Sequence, residues 1–565
     1  MCVAMRVASD LPGSVVTQHD QPYSLAAAMG EANVPGVSVA VFVDGRLAWS
    51  RAWGVLKLGG PTRVTAATLF QAASISKPVT ALAAMTMVAD GRLALDRDVS
   101  HSIDGWTATA PINLRQLLSH SAGLNVAGFQ GYAANAAVPT PLQILRGDRP
   151  SNTPAVVIEN TPGQAFNYSG GGYTVVQVLM AQTAAKPFSD LMTERVLAPL
   201  GMTDSFFAQP LPLLSQANAA SGHRDGKAVA EGSNTYPELA AAGLWTTPRD
   251  LGKVAVDIQN ARRSIAAAVA TPAISRDMLV PQAGGYGLGF ELKSLDGEPV
   301  FEHAGLNEGF EARLVASAGA TGPRYVVVVM TNGQGGTTIA DGLIRAVARH
   351  YAWRAYSPQT VRKVSLPPRD LVKFEGYYRS GDQAFGIELN GPDLFVRDGG
   401  WRPARMIPTS ARTFVVENRP GTYEFTAGRA SIARTLTILQ AGARASFMKT
   451  EQLSASSDTG PVFLRGTMND WQSVTPFART EREALEVTIV LTAGHHEFKI
   501  GDKAWRDVNL GARLDRSVAT AGTALPLSPM GGNLSFETPI SGRYRFIVQT
   551  PPNARATLTI MPIAP

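Results

Sequence analysis

The chain has 565 residues, which is longer than one typical domain, and 45% of them are hydrophobic, as in ordinary globular proteins. Its 51 basic and 45 acidic residues give a formal charge of +6, but no basic run is dense enough for a nucleic-acid surface. The single cysteine, Cys2, excludes an intramolecular disulfide and a cysteine-based metal site, so we expect a multidomain globular protein with no nucleic-acid partner and no metal.

The chain begins with a predicted tail over residues 1–20. This segment lacks the long apolar core of a secretory signal peptide, so the sequence as printed indicates a cytoplasmic protein but leaves the location open. A periplasmic or secreted location would imply a truncated start. No run of about 18 apolar residues occurs, so we predict no membrane span.

Residues 21–356 are predicted to form the first domain. Two strand-like runs over residues 40–49 flank Asp44-Gly45, a favoured tight turn, and so predict a hairpin. Residues 324–332 predict a buried strand and residues 338–351 a helix. Strands at both ends with helices between them predict an α+β fold, in which one antiparallel sheet closed by the two ends carries a largely helical insertion.

The residues with clear catalytic chemistry lie at Ser74-Ile75-Ser76-Lys77. A serine hydroxyl is a weak nucleophile at neutral pH and needs a base within hydrogen-bond reach. Because residues i and i+3 of a helix lie on one face, this spacing places the Lys77 amine beside the Ser74 hydroxyl. The apolar run that follows predicts a buried helix, and Pro78 fits its first turn. The same spacing recurs at Ser446-Phe447-Met448-Lys449, but in a strand-like region, so we interpret that copy as accidental.

Two clusters further along the chain complete the pattern. They are Tyr168-Ser169-Gly170 and His303-Ala304-Gly305. In this order and spacing, the three clusters resemble the motifs of the serine β-lactamase and penicillin-binding-protein superfamily, on its class C side, which also holds family VIII carboxylesterases, D-aminopeptidases and DD-peptidases. The resemblance covers roughly residues 20–355. It implies a β-lactamase-like domain that needs no cofactor and works through an acyl-enzyme.

The resemblance also implies roles for single residues. Ser74 is the expected nucleophile, and Lys77 and Tyr168 are the expected bases, with the order of proton transfer left open. The oxyanion hole is expected to consist of the backbone N–H groups of Ser74 and Leu306.

Further residues are expected around the substrate. His303 should line the cleft and bond to the substrate or to the Tyr168 hydroxyl. Gly305 should let the substrate approach the strand backbone, and Gly170 stands where the family's second motif carries an asparagine. His120, inside another stretch typical of the family, is expected to be a structural histidine.

Two departures from the family pattern bear on the substrate. Gly170 lacks the side-chain amide that helps β-lactamases hold their substrate, and a neutral His303 binds a carboxylate less firmly than a lysine does. We therefore predict a serine hydrolase of small-molecule esters or short peptide and amide substrates. A D-amino-acid or linear-peptide peptidase, a β-lactamase and a non-catalytic penicillin-binding-like protein are the alternatives, and the oligomeric state stays open.

Two all-β regions are predicted after a proline-containing link over residues 356–368. Short alternating strands with Gly, Asn and Asp turns over residues 366–453 predict a small β-barrel. A second boundary at residues 454–460 precedes another all-β stretch over residues 458–565. This stretch resembles the immunoglobulin-like β-sandwich modules that bind glycogen and starch.

The resemblance of this last region implies a candidate α-glucan partner. In such modules two tryptophans stack on sugar rings, while a lysine and an asparagine bond to hydroxyl groups. The matching positions here are Trp471, Trp505, Lys499 and Asn533. The alternative is a domain that serves only as a spacer or a dimer contact.

Overall fold

The structure, a computed structural model, describes residues 2–18, 20–398, 403–427, 433–440, 443–450, 460–480, 484–505, 507–549 and 555–563. Contacts within the chain divide it into two compact units, the first formed by Met1–Pro12 with Gln21–Pro358 and the second by Gly13–Asp20 with Gln359–Pro565. The division at residue 358 falls within the link predicted over residues 356–368. Most of the boundary predicted over residues 454–460 lies outside the described residues.

The first unit is built on one six-stranded antiparallel sheet. Its strands are β1 (Gly36–Val43), β2 (Arg46–Gly54), β3 (Glu291–Leu295), β4 (Glu298–Asn307), β5 (Phe310–Ser317) and β6 (Tyr325–Thr331). They lie in the order β2-β1-β6-β5-β4-β3, so strands from the two ends of the unit pair with each other inside the sheet. This arrangement confirms the predicted sheet closed by both ends of the segment.

The pairing of these strands follows from their sequence. In the turn between β1 and β2, Asp44 and Gly45 both have positive φ, of 50° and 79°, as a tight two-residue hairpin turn requires. Neighbouring residues of β6, such as Val326 and Val327, belong to two different apolar clusters. Because successive side chains of a strand point to opposite faces, β6 is buried on both faces of the sheet.

Helices cover both faces of this sheet. The described helices of seven or more residues in this unit are α1 (Val3–Ser9), α2 (Leu25–Glu31), α3 (Ser76–Ala89), α4 (Gly170–Ala184), α5 (Pro248–Arg262), α6 (Pro272–Met278) and α7 (Gly336–Tyr351). Shorter helices are Leu114–Leu118, Pro141–Arg146, Phe188–Met192, Leu213–Gln216 and Leu239–Ala242. Helices α1, α2 and α7 share one apolar core with the sheet, and the insertion that contains α3 to α6 shares the other. In the part of the chain that the structure describes, none of the helices combines the length and the apolar character that a membrane crossing requires.

Residues 1–20, which we expected to form a tail, contain helix α1 and the short strand Val15–Thr17. Val7 and Leu11, four residues apart, are buried in the core that α7 also enters, because this spacing gives the segment an apolar face. The strand Val15–Thr17 pairs in parallel with Gln359–Val361 in the second unit.

The second unit is mainly β-structure. Its first part is a closed antiparallel barrel of the described strands Gly376–Ser380, Gln383–Asn390, Asp393–Arg397, Ala404–Pro408, Thr413–Val416, Arg419–Ala427, Ala433–Gln440 and Ala443–Thr450. Its second part contains two sheets, one with Phe463–Gly466, Gly494–Gly501, Asn509–Gly511, Val518–Ala519, Ser528–Pro529 and Leu534–Thr538, the other with Ala478–Arg479, Leu485–Leu491, Leu525–Pro526, Gly542–Gln549 and Thr557–Ile563. The predicted fold class, an α+β domain followed by all-β structure, is confirmed.

The second Ser-x-x-Lys copy lies in the last barrel strand. Residues i and i+3 of a strand point to opposite faces, so this spacing does not bring a hydroxyl and an amine together there. The Ser446 hydroxyl lies 3.2 Å from the Thr437 hydroxyl instead, across a strand pair. We therefore assign this copy no catalytic role.

Candidate active site

The Ser74 motif forms a turn at the start of α3. A single 3-10 turn, Ala73–Ile75, precedes the helix. Ala73 is buried and has a φ of 49°, a conformation that is costly for a residue with a side chain and that is found at functional sites. The Ser76 hydroxyl makes two hydrogen bonds to the main chain. It donates to the Ala73 carbonyl at 2.6 Å and accepts the Leu244 N–H at 3.0 Å. Ser74 is the serine of this motif that lines the cleft.

Lys77 is buried beside Ser74, as its spacing predicts. Its Nζ donates to Ser74 Oγ at 2.9 Å and to the carbonyl oxygen of Ala241 at 2.9 Å. The same Nζ lies 5.0 Å from the centroid of the Tyr168 ring, within the range of a cation–π contact. The structure therefore brings Ser74, Lys77 and Tyr168 together, although Tyr168 follows Lys77 by more than ninety residues in the sequence.

Tyr168 is held in place by the start of α4 and by His120. Ser169 caps α4, since its hydroxyl accepts the Gly172 N–H at 2.9 Å, and its own N–H donates to Nδ1 of His120 at 3.0 Å. The centroid of the His120 ring lies 4.2 Å from that of the Tyr168 ring. Burial, followed by the charge of Lys77, holds the pKa of His120 well below its usual value, so the ring is neutral. His120, expected to be a structural histidine, packs against Tyr168, although its buried Nε2 has no hydrogen-bond partner among the described residues.

His303 lies in β4 and lines the cleft, with 5% of its surface exposed. Its Nδ1 lies 2.6 Å from the carbonyl oxygen of Ala304, and because a carbonyl only accepts, Nδ1 carries the proton and Nε2 keeps a lone pair. Burial, followed by the charge of Lys77, lowers the pKa of His303 to about 3, so the ring is neutral. Among the described residues Nε2 has no hydrogen-bond partner, so the bond to Tyr168 that we considered is not formed here.

The strand that contains His303 runs beside the nucleophile turn. A Cβ on Gly305 would lie 2.2 Å from the carbonyl oxygen of Ala72, so this glycine is required by the packing of β4 on that turn. This reason differs from the one we expected, which was access for the substrate. Leu306 lines the cleft and is 61% exposed. Strand β3 pairs with β4 only up to Glu302, so the edge of β4 beyond that residue has no strand partner on this side in the described structure.

Gly170 does not belong to the cleft, in contrast to our expectation. It is the first residue of α4, and its N–H donates to the Ala127 carbonyl at 3.1 Å. A Cβ there would lie 2.8 Å from the Phe129 ring and 3.1 Å from the same carbonyl. Packing against Ala127 and Phe129 therefore leaves no room for a side chain at this position. We remove Gly170 from the candidate substrate-binding residues.

The cleft has a volume of about 380 Å³. It is lined by Ser74, Phe166, Tyr168, Gly284, Tyr286, Glu291, His303, Ala304 and Leu306. Phe166, Tyr286 and Glu291 were not predicted. Phe166 could have been found from its position two residues before Tyr168. Tyr286 and Glu291 face each other across a bridge in a glycine-rich turn and carry no motif.

The residues predicted to bind a glucan lie in the second unit. Lys499 and Trp505 are close together, with Nζ 5.2 Å from the ring centroid. The guanidinium carbon of Arg465 lies 4.1 Å from the centroid of the same ring, and Arg465 also donates to the main-chain carbonyl of Trp471 at 2.8 Å. The side-chain amide of Asn533 donates to a neighbouring carboxylate at 3.1 Å. Burial lowers the pKa of Lys499 to about 8.

The geometry of the first unit defines a class of site. A serine at the start of a buried helix, a lysine one turn later and a tyrosine from a second helix start converge on one cleft. Residues 24–352, more than half of the chain, match the family model described as Beta-lactamase. The chain belongs to this family, within the hydrolases of the serine β-lactamase and penicillin-binding-protein superfamily.

Individual relatives are distant. The chain is 26% identical over 386 residues to penicillin-binding protein 4 of Amycolatopsis lactamdurans, which covers 62% of this chain and 94% of that protein. It is 23% identical over 226 residues to protein flp of Staphylococcus aureus, covering 38% of this chain and 42% of that protein. The penicillin-binding protein homologue from Pyrococcus abyssi superimposes with a TM-score of 0.51 at 21% identity, over 75% of this chain and 98% of that one, which supports the fold.

Proposed function

We propose that this protein hydrolyses esters or short peptide and amide substrates through an acyl-enzyme on Ser74. The observation that carries the proposal is the 2.9 Å contact between Lys77 Nζ and Ser74 Oγ in a cleft that Tyr168 also lines. A nucleophile and its base must lie within hydrogen-bond reach, and this pair meets that condition without any movement.

The proposed reaction has two halves. In the first, Ser74 Oγ attacks the substrate carbonyl carbon and its proton passes to Lys77 or Tyr168. The bond to the leaving alcohol or amine then breaks, and the leaving group takes up that proton. In the second half a water molecule attacks the acyl carbon, gives a proton to the same base, and the C–O bond to Ser74 breaks as Oγ regains its proton. The acid product leaves, and each proton is accounted for.

The oxyanion of each tetrahedral intermediate needs two donors. We assign them to the backbone N–H groups of Ser74 and Leu306, each worth about 3 kcal/mol of barrier in comparable enzymes. Ser74 lies in the 3-10 turn that precedes α3, and Leu306 lines the same cleft, on the edge of β4 that β3 leaves unpaired. An extended substrate can lie along this edge, since main-chain groups there have no strand partner in the described residues.

The substrate preference follows from His303 and from the start of α4. Because the His303 ring is neutral, it supplies no fixed cation for a substrate carboxylate. The position that would carry an amide in the second motif is closed by Phe129. We therefore expect esters and short peptides to be turned over faster than cephalosporins. A D-amino-acid peptidase is the alternative within this class.

A turnover screen tests the proposal. It compares p-nitrophenyl esters, D- and L-amino-acid p-nitroanilides and nitrocefin on the wild-type protein, on Ser74→Ala and on the matched control Ser446→Ala. We expect turnover of at least one ester or anilide that Ser74→Ala abolishes and Ser446→Ala leaves unchanged. Efficient nitrocefin hydrolysis without esterase or amidase activity would refute the preference. A protein that a fluorophosphonate does not label would favour the non-catalytic alternative.

Glucan binding by the C-terminal domain remains a prediction. The proximity of Lys499 to Trp505 favours it, because a stacking ring beside a donor suits a sugar. The position of Arg465 over the same ring opposes it, since a sugar stacking on that face must displace the guanidinium. The spacer or dimer-contact role is the alternative.

A further inference from the structure

Arg397 is a buried arginine in the second unit, where the barrel meets the sheets that follow it. It ends the barrel strand Asp393–Arg397 and exposes 7% of its surface. Its Nε has no hydrogen-bond partner among the described residues, and its Nη2 lies 3.8 Å from the Glu388 carboxylate, beyond hydrogen-bond reach. The next residue, Asp398, pairs with Arg419 at 2.9 Å instead. A buried charge is costly unless hydrogen bonds and an opposite charge compensate it, so Arg397 needs a further acceptor.

The strand register brings a second cation, Lys499, towards Arg397. A Cβ on Gly532 would lie 3.6 Å from Arg397 Nη1. The residue two positions later, Leu534, pairs with Phe498, which precedes Lys499 in the strand Gly494–Gly501. Burial, followed by the charge of Arg397, lowers the pKa of Lys499 to about 8. The two cations therefore lie close enough to repel each other.

The ring of Trp505 joins Lys499 to a third cation. Lys499 Nζ lies 5.2 Å from the centroid of this ring, and the guanidinium carbon of Arg465 lies 4.1 Å from it. Arg465 and Lys499 also face each other across a strand pair. Arg465 donates to three main-chain carbonyls, at 2.8 Å, 3.1 Å and 3.2 Å, and thus uses neutral acceptors. We call Arg397, Lys499 and Arg465 the junction cations.

The junction cations are only partly neutralised. Among the described carboxylates, Glu388 alone lies within ion-pair distance of any of them. Its oxygens already accept the Leu514 N–H at 2.9 Å and the Ser528 hydroxyl at 2.7 Å. Arg513 lies 3.5 Å from the same carboxylate but has its own partner, Asp515, at 3.1 Å. The three junction cations and Glu388 therefore leave an excess of two positive charges.

We propose that the junction cations bind a phosphate group, which is either inorganic phosphate or the phosphate of a small organic ester. A phosphate dianion matches the excess charge, and its oxygens can accept hydrogen bonds from the guanidinium of Arg397 and from the ammonium of Lys499. The ring of Trp505 offers an apolar wall to the organic part of an ester. This site lies in the second unit and goes beyond the proposed hydrolase function.

Equilibrium dialysis of the full chain against radiolabelled inorganic phosphate tests the proposal, at about pH 7 and fixed ionic strength. We expect one saturable site with a Kd of about 1 mM or tighter, which two charge-assisted hydrogen bonds can supply. Lys499→Met should weaken binding at least about tenfold. This variant should fold, because Lys499 is half-buried and has no hydrogen bond to a described residue to lose. The matched control is Lys503→Met, an exposed lysine in the loop before Trp505, which should keep the wild-type Kd.

A second variant tests the contribution of the barrel. Arg397→Gln, shown to be folded by its thermal unfolding, should also weaken phosphate binding at least about tenfold. Competition with α-glucosyl phosphate then distinguishes the two sources of the phosphate group. Displacement at a lower concentration than unlabelled phosphate requires indicates an organic ester, whereas displacement at the same concentration indicates free phosphate.

Three results would overturn the proposal. They are a folded wild-type protein without saturable phosphate binding, a Lys499→Met or Arg397→Gln variant with the wild-type Kd, and displacement of phosphate by glucose as effectively as by α-glucosyl phosphate. The last result would mean that the site recognises a neutral sugar and not a charge. None of these results bears on acylation of Ser74, so the proposed hydrolase function is tested separately.

Discussion

Replacing Lys77 by methionine should separate catalysis from folding. The variant removes two contacts, from Nζ to Ser74 Oγ at 2.9 Å and to the Ala241 carbonyl at 2.9 Å, and keeps an unbranched apolar stem. One buried carbonyl loses its donor, at a cost of about 1–3 kcal/mol. Burying a thioether in place of an amine offsets part of this loss. We therefore expect the free energy of unfolding to fall by no more than about 3 kcal/mol.

Catalysis should respond far more strongly than stability. Loss of a general base alone costs about 10²–10⁴ in rate, and groups that act as one unit cost more. We expect the rate of Ser74 phosphonylation by a fluorophosphonate to fall at least about 10³-fold in Lys77→Met, measured beside thermal unfolding of the same sample. Lys449→Met, in the second Ser-x-x-Lys copy, is the matched control and should be phosphonylated at the wild-type rate. A folded Lys77→Met protein that is phosphonylated at the wild-type rate would refute the reasoning.

Three further predictions concern packing, pH and the C-terminal domain. Gly305→Ala places a Cβ 2.2 Å from the Ala72 carbonyl oxygen, so we expect the variant to lose about 1–3 kcal/mol of stability in denaturant unfolding. We also expect a fluorophosphonate to label its Ser74 more slowly. Wild-type values for both measurements would contradict the packing role. Burial raises the pKa of Glu238 from 4.5 to about 7, so the folded state holds this proton more tightly and stability should fall as pH rises between these values. The wild-type protein should lose roughly 2.5 kcal/mol of stability from this group between pH 5 and pH 8, and Glu238→Gln should not show that loss. An equal loss in the variant would show that Glu238 does not cause it. Trp471→Ala and Trp505→Ala should weaken retention on an α-glucan affinity gel without changing ester turnover, whereas a wild-type protein that no glucan retards would favour the spacer role.

The sequence predicted those parts of the site that depend on local geometry. Ser74 and Lys77 are one turn apart, so their contact requires only that the segment be helical. The Asp44-Gly45 turn was predictable for the same reason, because both positions need positive φ and few other pairs accept it. Tyr168 required the family resemblance, since nothing near it in sequence indicates that it approaches Lys77.

Residues whose position depends on long-range packing were missed or misplaced. Gly170 was predicted to face the substrate, but contacts with Ala127 and Phe129, forty residues earlier, turn it away from the cleft. Tyr286 and Glu291 enter the cleft from a turn more than two hundred residues after Ser74, and no local pattern marks them. Helix α1 was missed for the same reason, because its apolar face packs into a core that it shares with α7, which is distant in the sequence.

The central claim is that Ser74 is the acylated nucleophile. The direct measurement is mass spectrometry of the intact protein and of its peptides after reaction with a fluorophosphonate. We predict a single added phosphonyl group on the peptide that contains Ser74, no addition in Ser74→Ala, and unchanged addition in Ser446→Ala. Modification of Ser446 or Ser76 in place of Ser74, or a folded wild-type protein that the probe leaves unmodified, would contradict the account.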